Sequence, residues 1–444
     1  MRIKSTMIAA LAVVAMAGMV AIPTTVAGAS GSKIWVSNTA PTVGGTGISC
    51  AHPGYSTIQS AINNAGNFGA TIEVCAGTYV EQLTITNSVK LVATGGPVTV
   101  QLPATPVTNG TSCDTALGTV PPGQLPQPGQ DEISICGAGN VSITGITVSA
   151  YWPPNTCYDN LMGVFVGQGS TLTALGLTVT GAGVPLGDPD VGCQGGIGIR
   201  VGSAHGTGQV AHASLRNTVV TGYQKAGIVV AQTGSSLSVH TATITGRGPV
   251  GTAENGIEVD YGALGTISGA TVSNNNCVLA GVCGPNALTD TQATGILFYG
   301  AATGSGVKLS TLNGNDVGVY YSSLAASEPV ATEVTMATNI INNSVDAGIE
   351  LDQGVASLKY NTIGGTGPIG IEVLQAYWQS YAPASTAIHQ TISGQGVGVE
   401  VDSDNAVGDF PGNFVISGSH FLHTNTTALT NNSLNYTTSG GGNS

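Results

Sequence analysis

This chain of 444 residues is poor in charge: 7% of it is Asp, Glu, Lys or Arg, against about 25% in an ordinary soluble protein. With 10 Lys+Arg and 23 Asp+Glu, it cannot solvate the faces of a helical bundle or a coiled coil, which need abundant Lys and Glu. The net charge of −13 argues against a nucleic-acid partner, whose phosphates demand Lys and Arg. Disorder requires low hydrophobicity, and 41% of the residues are hydrophobic. The 66 glycines have no three-residue period, which excludes collagen. No cysteine sits in a CxxC or His-containing zinc spacing. Beyond the first 22 residues no apolar run is long enough to span a membrane.

What remains is Gly, Thr, Ser, Asn, Val and Ile, the chemistry of strands and turns. Residues 1–29 read as a signal peptide: Arg2 and Lys4, an apolar run from Met7 to Ile22, then Ala27-Gly28-Ala29 before Ser30. Cleavage there predicts a chain secreted to the extracellular space or the cell envelope, with no membrane span left. The eight cysteines then face an oxidising compartment. Consecutive pairing is expected: Cys50–Cys75, Cys113–Cys136, Cys157–Cys193 and Cys277–Cys283, the last closing one short loop.

Self-comparison reveals a repeat. Glycine followed by alternating apolar residues recurs from Gly163-Val-Phe-Val through Gly198, Gly227, Gly256, Gly295, Gly318, Gly348 and Gly370 to Gly398-Val-Glu-Val. The residue after each Gly is Val or Ile, and the residue two further on is apolar or aromatic. Such two-residue alternation gives a strand one buried and one wet face. Strands recurring every 22 to 39 residues bury their inner faces by stacking as a solenoid. A β-sandwich or up-and-down barrel tolerates irregular strands but has no use for one recurring unit. The shortest spacings fit a coil of three short strands and three turns. Asn274 to Asn276, Asn313, Asn315, Asn342, Asn343 and Asn361 suit left-handed turns and stacked hydrogen bonds along the coil axis.

The segments Tyr55-Ser-Thr-Ile-Gln-Ser-Ala-Ile-Asn-Asn-Ala and Ala70-Thr-Ile-Glu-Val-Cys-Ala-Gly-Thr-Tyr-Val-Glu-Gln-Leu-Thr-Ile, with Val89-Lys-Leu-Val-Ala-Thr-Gly-Gly, resemble the pectin-lyase-like superfamily. The resemblance implies an all-β fold, a right-handed parallel β-helix solenoid over residues 55–430 whose N-terminal end is capped by a helix. Ser56 can N-cap that helix, with Ile58, Ala61, Ile62 and Ala65 as its apolar face. Residues 30–54 form a lead-in, and residues 431–444 read as a disordered tail. Long loops, among them 103–130, 151–161, 184–195, 277–293 and 375–386, interrupt the coils.

The superfamily's catalytic motifs are sparse here. Gly77-Thr-Tyr-Val-Glu81 matches a pectin methylesterase piece, but the paired Asp, the Gln oxyanion donor and the Arg motifs that go with it are absent. That piece also opens strands in non-enzymatic β-helices. Polygalacturonase motifs are missing, and Arg200, Arg216 and Arg247 lack a pectate-lyase context. The histidines are scattered and read as surface or turn residues.

One column stands out. The residue two after each repeat Gly points outward: Phe165, Arg200, Val229, Glu258, Leu297, Tyr320, Glu350, Glu372 and Glu400. Two further along come Asp260, Tyr299, Asp352 and Asp402. One reading is a solvated acidic face. The other is a site: Glu350, Asp352, Glu372 and Glu400 as candidate catalytic carboxylates, and Glu350, Asp352, Glu400 and Asp402 as candidate calcium ligands. Tyr299, Tyr320, Tyr377, Trp378 and Tyr381 are the candidate rings on which sugars stack. The expected function is a surface protein that binds polysaccharide; the alternatives are a polysaccharide-active enzyme using these carboxylates and a trimeric adhesion solenoid.

Overall fold

The structure is a computed structural model. It describes residues 33–66, 69–107, 109, 130–154, 161–187, 195–203, 210–286, 290–323, 332–352, 354–365, 367–375, 384–403, 412–422, 427–432, 436–439 and 441–444. The expected signal peptide, residues 1–29, therefore lies outside the described residues.

The repeat strands stack in parallel. Together with Leu83–Ile85, Ile133–Cys136 and Thr427–Asn431 they make a first sheet of 12 strands. The rest of each coil lies in a 21-stranded sheet that bends into a second and a third face. One coil shows the plan: Ala347–Asp352 in the first face, Val355–Lys359 in the second, Thr362–Gly364 in the third, then Ile369–Gln375 back in the first. Three faces, all parallel, make a β-helix.

The interior follows the alternation. Ile257 pairs with Ile296, Ile296 with Val319, Val319 with Ile349, Ile349 with Ile371 and Ile371 with Val399. All six are fully buried, in one core cluster that runs the length of the coil. The corner between second and third faces is made by one left-handed residue per coil: Asn217, Thr241, Gly269, Leu309, Thr338, Tyr360, His389 and Gly418, with φ between 50° and 66°. A single such residue turns a strand sharply without a long loop.

Just inside this corner, buried polar residues hydrogen-bond from coil to coil. Asn361 Oδ1 accepts from the Asn339 backbone N–H and Nδ2, both at 3.0 Å. Asn361 Nδ2 donates to Gln390 Oε1 at 3.0 Å and to the Met336 carbonyl at 2.9 Å. Ser310 and Ser419 extend the ladder at either end. At the other corner of the third face, Asn275 donates to Asn315 at 2.8 Å. The expected asparagine stacking exists, and it recruits Asn339 and Gln390 as well.

The repeat glycines are required by space. A Cβ on Gly348 would stand 2.6 Å from the Gly370 carbonyl oxygen and 2.5 Å from Ile363 Cγ2. Its neighbours in the column meet the next coil's glycine carbonyl in the same way. Gly348→Ala is expected to cost about 1–3 kcal/mol, because backbone must move to admit the methyl. Gly251→Ala, where nothing lies within 4 Å, is the control; equal melting temperatures for the two variants would refute this account.

Three expectations change. The helix spans Ile58–Asn64 and is capped by Thr57, whose side chain accepts from the Ser60 N–H, rather than by Ser56. Its buried face is as expected, and it packs against the first coil at the N-terminal end. The lead-in already belongs to the solenoid, since Lys33–Val36 pairs in parallel with Ala70–Val80. The tail is ordered where described: Tyr436–Ser439 pairs with Gly412–Ser417, and Asn443 Oδ1 accepts from the Ser419 N–H. The last coil offers unpaired backbone groups, and the tail satisfies them. Cys50–Cys75 and Cys277–Cys283 are bonded as expected. Cys136 is also disulfide-bonded; Cys113, Cys157 and Cys193 lie outside the described residues.

Candidate functional site

The outward column of the first sheet is in register from end to end. Phe165 pairs with Arg200, Arg200 with Val229, Val229 with Glu258, Glu258 with Leu297 and Leu297 with Tyr320. Tyr320 pairs with Glu350, Glu350 with Glu372 and Glu372 with Glu400. Neighbours along a parallel sheet stand ~4.8 Å apart. Beside it run Asp260, Tyr299, Ser322, Asp352, Leu374 and Asp402.

The solvated-face reading fails. Glu350 is 0% exposed, Asp260 4% and Glu372 6%; only Glu258, Asp352 and Glu400 are partly open. Pointing outward from a strand sets direction, not exposure, so the alternation could not reveal this burial. Neither carboxyl oxygen of Glu350 meets a hydrogen-bond partner. Burial first, then the nearby Glu372, Asp352 and Asp346, push its pKa well above the usual carboxylate range. Burial thus favours the neutral acid form of Glu350 over the carboxylate.

Around it the polar groups are organised. Asp352 Oδ2 accepts from the Tyr320 hydroxyl at 3.2 Å and from Ser322 Oγ at 3.0 Å. Burial, with Asp352 and Glu350 beside it, raises the Tyr320 pKa, so its hydroxyl stays a donor. Glu400 Oε1 accepts from Asn432 Nδ2 at 3.0 Å. Tyr299 packs edge-on against Tyr261, ring centroids 6.1 Å apart. Tyr377, Trp378 and Tyr381 lie outside the described residues, as does the Asp402 side chain. Among the described residues no three acid, His or Cys side chains are placed to hold a metal.

A second pair on this face went unselected from sequence. Asp260 is pushed up to about 9, by burial and then by Glu258, which shares a hydrogen bond with it. Asn255 Nδ2 donates to Glu258 Oε2 at 3.0 Å. The register of Glu258 and Asp260 with the other repeats was legible, but their burial was not.

The esterase-like motif turns out to be structural. Glu81 accepts from the backbone N–H groups of Ile58 and Gln59, at 2.8 and 3.0 Å. It thereby satisfies two free amides at the start of the capping helix. The Tyr79 hydroxyl is spent on the Cys75 carbonyl at 2.9 Å. Arg247 is likewise occupied: its guanidinium donates to the Gly222 carbonyl and its backbone N–H to Glu254.

A family model described as a right handed beta helix region matches residues 197–382. No curated protein matches the sequence. Among solved structures, the periplasmic alginate epimerase AlgG is similar at 11% identity, over 90% of this chain and 85% of that one, with a TM-score of 0.51. XylC in complex with xylose is similar at 11% identity, over 90% of this chain and 86% of that one, with a TM-score of 0.56. At such identity the likeness speaks to fold. Parallel coils of three faces, a capped N-terminal end and these matches make the chain a right-handed parallel β-helix.

Proposed function

We propose that this is an exported protein that binds polysaccharide along the outer face of its first sheet, around Glu350. The observation that carries the reading is the Glu350 carboxyl, fully buried and without a partner among carboxylates in register. A buried acid without a partner costs stability, and beside it Asp352 and Glu400 are partly open to a sugar's hydroxyls. Tyr299 and Tyr320 supply ring faces, and Asp352, Glu372 and Glu400 supply acceptors for hydroxyls. The disulfides suit export to an oxidising compartment. AlgG and XylC, by their names, deal with alginate and xylose, which is consistent with a glycan for this scaffold.

Catalysis is a second reading, favoured by one specific contrast. Burial favours the neutral form of Glu350, while Asp352 carries two hydroxyl donors suited to a carboxylate. Two carboxyl groups in unlike environments can divide acid and base roles.

Calorimetric titration with alginate, xylan and pectate oligosaccharides, with and without calcium, tests the proposal. The Glu350→Gln, Glu372→Gln, Glu400→Gln triple variant is expected to bind at least about tenfold more weakly. Gln has the shape of Glu and brings no charge to bury, and an unchanged melting temperature verifies that the fold is retained. Equal binding by wild type and variant, or none by either, overturns the reading. Binding only with calcium moves it to the metal.

A further inference from the structure

The second face carries a different file. Arg216 pairs with His240, His240 with Ser268, Ser268 with Lys308, Lys308 with Ala337 and Ala337 with Lys359. At one coil per ~4.8 Å, Arg216 and Lys308 stand ~14 Å apart and Lys308 and Lys359 ~10 Å. Three of the ten basic residues in an acidic chain thus share one line. All three are exposed, and their side chains make no hydrogen bond or ion pair among the described residues. Glu333 is the one acid on this stretch of the face, four residues before Ala337 on its strand.

The adjoining file is made of hydroxyls. Ser214, Ser238, Thr266, Gly306, Thr335 and Ser357 follow one another in register. Gly306 and Ala337 remove bulk between the cations and leave a trough of about 530 Å³, lined by Arg216, His240, Thr266, Ser268, Lys308 and Thr335. One coil beyond the lining residue Ala337, Lys359 continues the file, and the next residue, Tyr360 at the corner, is 59% exposed. Its ring stacks on His389 with centroids 5.1 Å apart.

We infer that this trough and the file that continues it to Lys359 bind an anionic polysaccharide laid along the coil axis, with Arg216, Lys308 and Lys359 taking its carboxylates or sulfates. The charge sign selects the partner: these cations have no acid of their own to answer. The hydroxyl file matches the hydroxyls of a sugar chain, and the Tyr360 ring offers a face for stacking. A polymer with a charge on every sugar presents anions at intervals of the same order as the coil rise, so a file spaced by whole coils can meet several at once. Three cations are few for nucleic acid, whose binding rests on many phosphate contacts. The trough lies on another face than Glu350, so the two proposals stand or fall separately.

The test titrates the whole mature protein with polygalacturonate oligomers, chondroitin sulfate, neutral xylan oligomers and single-stranded DNA. Polygalacturonate is expected to bind, and more weakly as salt rises. The Arg216→Gln, Lys308→Gln, Lys359→Gln variant is expected to lose about tenfold. Binding of chondroitin sulfate alone, lost in the same basic variant, supports the site with sulfate as the anion. Equal binding by wild type and basic variant, no binding of either anionic glycan, or tighter binding of DNA overturns the inference. The three positions are exposed, so the variant folds, and an unchanged melting temperature verifies it.

Discussion

Raising the pH from about 5 to about 9 is expected to lower the melting temperature of this protein continuously, the reverse of ordinary acid denaturation. The cause is a set of buried carboxyl groups. Glu132 is 0% exposed, neither of its oxygens meets a partner, and it is pushed up to about 9, by burial and then by Glu81. Asp260 is pushed up to about 9, Glu254 to about 8 and Asp346 to about 7, each mainly by burial, and Glu350 shifts the same way. Below the unfolded pKa, near 4, both states hold the proton and these groups contribute nothing. Between that value and the raised folded pKa, only the unfolded chain ionises, so each group costs about 1.4 kcal/mol per pH unit. Above the folded pKa the cost is constant. Lys225, lowered by burial, pulls the other way, whereas Glu73, held below the ordinary carboxylate value by Lys33 and Thr94, has finished titrating below this range and adds no slope to it. Calorimetric melting at several pH values checks this. Glu132→Gln should flatten the slope and raise the melting temperature at alkaline pH. A flat or rising profile for the wild type would remove the neutral carboxyl groups, and the acid role of Glu350 with them.

Ile349→Asp is expected to be the most damaging single change, costing about 4 kcal/mol or more. Ile349 is fully buried between Val319 and Ile371 in the interior file. An aspartate there loses the packed methyl groups and buries a carboxyl with no partner. Coils contact mainly their neighbours, so the damage should open the coils around residue 349 first. Limited proteolysis followed by mass spectrometry locates that opening, and circular dichroism gives the loss of melting temperature. Wild-type melting would refute the interior position.

The repeat glycines show how far a sequence can be read. Their recurrence was visible, and with it the parallel stack. Their reason was not: at Gly348 it is the carbonyl of Gly370 and a methyl of Ile363, residues that only coiling brings near. The same holds for Glu81, whose partners Ile58 and Gln59 lie far back in the chain. Aligning the second strands as well would have put His240, Ser268 and Lys359 in one file. Arg216 and Lys308 join it only through a register that insertions of unequal length conceal.

Sequence alone determined the inward half of each first-sheet strand, and so the fold. Alternation along a strand is a local property, and stacking copies it from coil to coil. The tertiary structure decided which outward residues are wet. Glu350 and Lys308 both point away from the interior, yet the carboxyl is buried while the ammonium is exposed. Burial depends on everything that approaches a side chain from other coils, and a strand's own pattern carries no record of that.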